Sequence, residues 1–143
     1  MNGRAFAELV EQWLYVDASV RVSQNDVNPF APGAGDPVDR TGNTNTTYRY
    51  TVSPYVSRQF KDVANLLLRY SWNDQYNSKD VVGDSSRESV KFLLDSVPGT
   101  SKFSWGLQAD YSNIDYSERA GRPESNSELK SAQVNLGYQF NRF

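Results

Sequence analysis

The most constraining stretch of the chain is residues 47–72, TYRYTVSPYVSRQFKDVANLLLRYSW. Its first half places Tyr48, Tyr50, Val52, Pro54 and Val56 at even positions, and Thr47, Arg49, Thr51, Ser53 and Ser57 at odd ones, with Tyr55 the aromatic exception. Its second half repeats the rule: Ala64, Leu66, Leu68, Tyr70 and Trp72 alternate with Asn65, Arg69, Ser71 and Asn73, Leu67 being the exception. Successive strand residues point to opposite sides of a sheet, so this parity predicts a long hairpin with one apolar and one polar face. A turn over residues 60–62 pairs Gln59 with Val63, Val52 with Tyr70 and Tyr50 with Trp72. Both soluble and membrane barrels use such alternation.

The same pattern recurs along the chain. Residues 14–23 set Leu14, Val16, Ala18, Val20 and Val22 against Tyr15, Asp17, Ser19, Arg21 and Ser23. Residues 88–97 set Val90, Phe92 and Leu94 against Ser89, Lys91 and Asp95, and a turn at residues 98–101 leads to residues 103–111. There Phe103, Trp105, Leu107, Ala109 and Tyr111 share a face, and a turn centred between Gly99 and Thr100 pairs Leu94 with Trp105, Phe92 with Leu107 and Val90 with Ala109. The last strand, residues 129–140, carries Ala132, Val134, Leu136, Tyr138 and Phe140 on one side. Residues 2–9 fit a strand through Gly3, Ala5, Ala7 and Leu9, while Phe6, Leu9, Val10, Trp13 and Leu14 also fit helical spacing; the strand that follows at once favours the first. Pro54 cannot donate a ladder hydrogen bond and predicts a bulge or a gap in pairing.

The fold expected is all-β: an antiparallel up-and-down meander of six to seven long strands in one unit spanning residues 1–143, a partial transmembrane β-barrel. Polar segments at residues 24–45, 75–86 and 117–127 alternate with tight turns, the asymmetry of bacterial outer-membrane barrels. Strands of about ten residues suit a tilted membrane span. Aromatics sit near the strand ends: Tyr48, Tyr50, Tyr70, Trp72 and Tyr111 toward the long connections, and Phe103, Trp105, Tyr138 and Phe140 toward the tight turns. Two interfacial girdles have this form, and outer-membrane lipid is the partner they imply.

Composition removes other classes. Net charge is −2, without the basic footprint that nucleic acid demands. No apolar run approaches the roughly 18 residues of a helical span, yet a mean hydropathy of −0.68 is compatible with a barrel, in which only alternate residues meet lipid. His and Cys are both absent, which excludes a Ser-His-Asp triad, His-based zinc sites and thiol chemistry within this chain. An enzyme is not expected, and no cofactor is implied.

The polar parity carries Arg4, Arg21, Arg49, Arg69 and Lys91 against Glu8, Asp17, Asp95 and Asp110. Mixed signs predict ion pairs bracing a lumen. A sharper reading makes Arg21, Arg49 and Arg69 a cationic ladder on three successive strands, able to guide an acidic polysaccharide. The three aspartates are sugar-cleavage candidates by residue type alone. Asp26, Asp36, Asp39, Asp80 and Asp84 have no calcium-loop spacing, and Asn45-Thr46-Thr47 matches a glycosylation sequon but is read as the end of a loop.

Three stretches, AELVEQWLYVDASVRVSQ, NPFAPGAGDPVDRTGNTN running into YRYTVSPYVSRQF, and LLLRYSWND, together resemble the outer-membrane β-barrel proteins associated with PEP-CTERM and exosortase systems near exopolysaccharide genes in Gram-negative bacteria. WLYVDAS and YRYTVSPYVS are the most specific parts. The resemblance implies an outer-membrane location and a role as scaffold or conduit in exopolysaccharide export or surface-protein sorting. It carries no catalytic motif. Family members are several times longer and carry a signal peptide, and Phe143 is out of step with Tyr138 and Phe140, so the chain reads as a fragment whose edges pair with remaining barrel strands or other envelope proteins. The alternative is a soluble antiparallel β-barrel that binds an apolar ligand inside.

Overall fold

The computed structural model describes residues 1–26, 28, 44–79, 83–99, 101–117 and 123–140. They form seven strands: β1 (Asn2–Val10), β2 (Leu14–Asp26), β3 (Thr44–Phe60), β4 (Ala64–Asn77), β5 (Ser85–Ser96), β6 (Phe103–Tyr116) and β7 (Ser125–Tyr138). Each pairs antiparallel with its sequence neighbours in one sheet of order β1-β2-β3-β4-β5-β6-β7. Among the described residues no helix is long and apolar enough to cross a membrane. The sheet is not closed, so β1 and β7 are both edges.

The alternation decides the faces as expected, and the strand reading of the first residues holds. Two registers differ from expectation. Val52 stands opposite Trp72, not Tyr70, and Tyr50 stands opposite Asp74, not Trp72. Gln59 pairs with Asn65, and Phe60–Ala64 closes the hairpin. The turn is Lys61–Val63, with Lys61 in the left-handed region (φ 47°) and the Val63 N–H donating to the Phe60 carbonyl at 3.0 Å. At the second hairpin Leu94 stands opposite Leu107, Phe92 opposite Ala109 and Val90 opposite Tyr111. There Gly99 takes φ 84°, and the Trp105 N–H donates to Ser96 Oγ at 3.0 Å. Each difference is a slip of two residues, which preserves the side to which every residue points.

In β1 an irregularity between Glu8 and Val10 moves Val10, paired with Leu14, onto the face of Ala5 and Ala7. Pro54 produces the gap and not the bulge: pairing with β4 skips Ser53 and Pro54 while the register on both sides stays the same. The strands also reach further into the long connections than hydropathy indicates. β4 runs to Asn77, β5 starts at Ser85 and β7 starts at Ser125. Phe140 lies beyond β7, although its ring meets Tyr138 at 4.8 Å. Phe143, Asp36, Asp39 and Asp80 lie outside the described residues.

Among the described residues no second layer covers the apolar side of the sheet. Ala64 is the one buried hydrophobic residue among those described, and no side chain is fully enclosed. Along β4 every polar-face residue from Asn65 to Asn77 is at least half-buried, whereas Leu68, Tyr70, Trp72 and Tyr76 on the other side are exposed. Burying large apolar side chains is the main favourable term in folding, about 1.5–3 kcal/mol each. This sheet leaves that contribution unused until something apolar covers it.

Candidate functional site: a two-faced wall

The apolar face supplies the first half of the site. Its upper border, toward the long connections, starts at Val22 and Tyr48, which are paired. Trp72 stands opposite Val52, four residues below Tyr48. Val90 stands opposite Tyr70, two further down, and Tyr111 lies in the same row. Ala132 stands opposite Ala109, two below Tyr111. The border therefore falls eight residues from β2 to β7, about 27 Å along the strands over about 24 Å of strand spacing.

The lower border falls in the same sense. It starts at Leu14 and Val56. Leu66 stands opposite Arg58, two below Val56, in one row with Leu94 and Leu107. Tyr138 stands opposite Phe103, four below Leu107. The drop is six residues, about 20 Å over the same width. An apolar band thus crosses the sheet at about 40–50° to the hydrogen-bond rows, close to the 35–45° strand tilt of outer-membrane barrels.

Above the band on this face sits a polar margin that the sequence reading did not identify. It consists of Asp74, Glu88, Asn113, Asp115, Glu128 and Lys130. The Tyr70 hydroxyl bonds Glu88, the Tyr111 hydroxyl bonds Glu128, and Lys130 Nζ lies 2.9 Å from Glu128. Tyr70 and Tyr111 thus place the ring in the band and the hydroxyl in the margin, each side of the residue meeting the surroundings its chemistry suits. Tyr48, Tyr50, Tyr70, Trp72, Phe103, Tyr111 and Tyr138 are all exposed on this face, while Trp105 is half-covered.

The polar face is knit by cross-strand side-chain pairs. Thr51 Oγ1 donates to Asn73 Oδ1 at 2.8 Å, Ser53 Oγ meets Ser71 Oγ at 2.9 Å, and Thr47 Oγ1 donates to Asn77 Oδ1 at 2.8 Å. The sequon residue Asn45 is buried and donates to Asn77, so it is part of β3, not the end of a loop. Asp17 is the charge centre. It accepts from Arg4 at 3.2 Å and from Arg69 at 3.5 Å, and the Arg69 guanidinium also lies 4.2 Å from the centre of the Tyr55 ring.

All nine charged candidates share this polar face. The three-strand ladder does not form, however. Arg21 stands opposite Arg49, but Arg49 stands opposite Gln75, and Arg69 lies six residues further down, between Tyr55 and Lys91. Asp17 on β2 is separated by β3 and β4 from Asp95 on β5, so these carboxylates do not form a pair. Lys91 stands opposite Asp110, which accepts from Gln108. Asp95 accepts from Asn65.

Removing Asp17 leaves two guanidinium groups without their shared acceptor. Asp17→Ala is expected to cost about 1–3 kcal/mol, and Arg4→Ala, which deletes an exposed partner, about 0–1 kcal/mol. Urea unfolding in detergent micelles, followed by tryptophan fluorescence, checks the order. An Arg4→Ala cost equal to that of Asp17→Ala would remove Asp17 from the centre of this network.

Comparison with known protein families, with curated proteins and with solved structures finds no match to this chain.

Proposed function

We propose that the chain is a section of an outer-membrane β-barrel wall, acting as a scaffold or conduit in exopolysaccharide export or PEP-CTERM protein sorting. The oblique apolar band carries this reading. A soluble sheet buries its apolar face beneath a second layer and has no need of a band inclined at the barrel tilt. The pathway is proposed from the resemblance of the WLYVDAS and YRYTVSPYVS segments alone.

Strand direction adds a condition on closure. β1 and β7 run the same way, since six antiparallel steps separate them. Edge groups unpaired in hydrocarbon cost several kcal/mol each. A closing element that is antiparallel at both seams therefore contributes an odd number of strands, from other barrel strands or another envelope protein. An even total, as in single-chain bacterial barrels, follows.

Extraction and gel migration test the reading. The protein is expected to stay monodisperse only in detergent and to migrate faster on a gel before boiling than after it. Stepwise conductance in a planar bilayer then separates conduit from scaffold. A soluble monomer without detergent would instead support the apolar-ligand module, although its sheltered face is the polar one.

A further inference from the structure

We propose that the long-connection half of the polar face is an anion-accepting vestibule, which takes solutes bearing carboxylate or phosphate groups; the inference rests on the conduit reading above. Charge on this face is segregated along the strands. The half toward the long connections holds Arg21, Arg49 and Arg87 among hydroxyl and amide side chains, Ser19, Thr47, Thr51, Asn73, Gln75 and Ser85, with Arg4 opposite Ser19 at its lower edge, where it pairs with Asp17. The carboxylates of the face, Glu8, Asp17, Asp95 and Asp110, all lie in the tight-turn half, with Arg69 and Lys91. In pores, Arg and Lys clustered at one level of the wall select for anions.

The cations are also placed against their own stability. Arg21 and Arg49 stand directly opposite each other on adjacent strands, where like charges repel. No ion pair among the described residues uses Arg21, Arg49 or Arg87. Arg49 and Arg87 donate to neutral partners: Gln75 Oε1 accepts from Arg49, and Ser112 Oγ accepts from Arg87 Nε at 2.9 Å. Asp74 borders the same hollow as Arg49 and Arg87, but belongs to the opposite parity and accepts from the Tyr76 hydroxyl there. Hydrogen bonds to Gln75 and Ser112 orient two guanidinium groups without neutralising them. Guanidinium groups bind oxyanions through charge-assisted, often bidentate, hydrogen bonds. A solute with repeated oxyanions would relieve the repulsion between Arg21 and Arg49 and engage Arg87 two strands away.

The test uses the full chain in detergent micelles, titrated calorimetrically with sodium polygalacturonate, with sodium polyphosphate and with neutral dextran. Both polyanions are expected to bind, with affinity falling as salt rises, and dextran is not. Replacing Arg21, Arg49 and Arg87 together by Gln should weaken polyanion binding by at least about tenfold. Replacing the opposite-face cations Arg58 and Lys130 by Gln should leave it unchanged. Arg49→Gln alone, with gel migration before boiling as the folding check, serves if the triple variant does not fold. Equal binding of dextran, absence of polyanion binding, or an unweakened folded Arg variant would overturn the vestibule. Preference for one polyanion identifies carboxylate or phosphate as the favoured group within the proposal. The conduit reading is decided separately by bilayer conductance: a conducting pore indifferent to polyanions loses only the vestibule, and a non-conducting sheet that binds them through these arginines loses only the conduit.

Discussion

Replacing Leu68 with Arg is expected to destabilise the folded protein in lipid by about 2–4 kcal/mol, whereas Val22→Arg should cost about 0–1 kcal/mol. Both residues belong to the apolar face. Leu68 is 44 % exposed and sits inside the band on β4, between Leu66 and Trp72. In water, such exposure would make a charged replacement nearly harmless. In hydrocarbon, the same position holds the guanidinium inside the band, away from both borders. Val22 stands at the upper border beside Tyr48, where a long cation can extend its charge into the headgroup layer. Phe92, opposite Leu68 in the next strand, should behave like Leu68 when replaced by Arg. Glu88, in the same hydrogen-bond row as Trp72 but already in the polar margin of this face, should tolerate Lys. The sensitive positions would thus follow the oblique band, not the hydrogen-bond rows. Reversible urea titration in lipid vesicles measures these differences. Equal, small costs at Leu68 and Val22 would indicate water on this side of the sheet.

The faces were legible in the sequence because parity survives every register error of two. The alternation of Val52, Leu68, Trp105 and their neighbours fixes the side on which each residue lies, whatever its cross-strand partner. Register itself was not legible. Lys61-Asp62-Val63 contains none of the Gly or Asn residues that announce a left-handed turn position, yet Lys61 adopts it. The Ser96 hydroxyl that captures the Trp105 N–H is likewise a local choice that hydropathy does not encode. The slope of the apolar band depends on all six registers together, so it could not be read from strands one at a time.

The same limit explains the charge pattern. Arg21, Arg49 and Arg69 look like a ladder when strands are merely counted. Only the pairing shows that Arg69 drops to the level of Tyr55 and Lys91 and is drawn to Asp17. Arg87 was missed because apolar alternation begins at Val90, while hydrogen bonding carries β5 back to Ser85. Pro54 was the opposite case. Its missing N–H is a covalent fact, and the gap in pairing lies where proline chemistry requires it.

Lipid contact on one face is the central claim, and the three tryptophans make it directly measurable. Trp72 and Trp105 lie on the apolar face near its opposite ends, and Trp13 lies in the tight turn after β1. Single-tryptophan variants reconstituted in vesicles with bromine at chosen depths along the acyl chain report proximity to lipid through fluorescence quenching. Trp72 and Trp105 are expected to be quenched most by shallow bromines, and a tryptophan placed at Leu68 most by deep ones. A tryptophan placed at Ser71, one residue away on the polar face, is expected to escape quenching. Quenching that fails at Leu68, or that is equal at Leu68 and Ser71, would contradict the account.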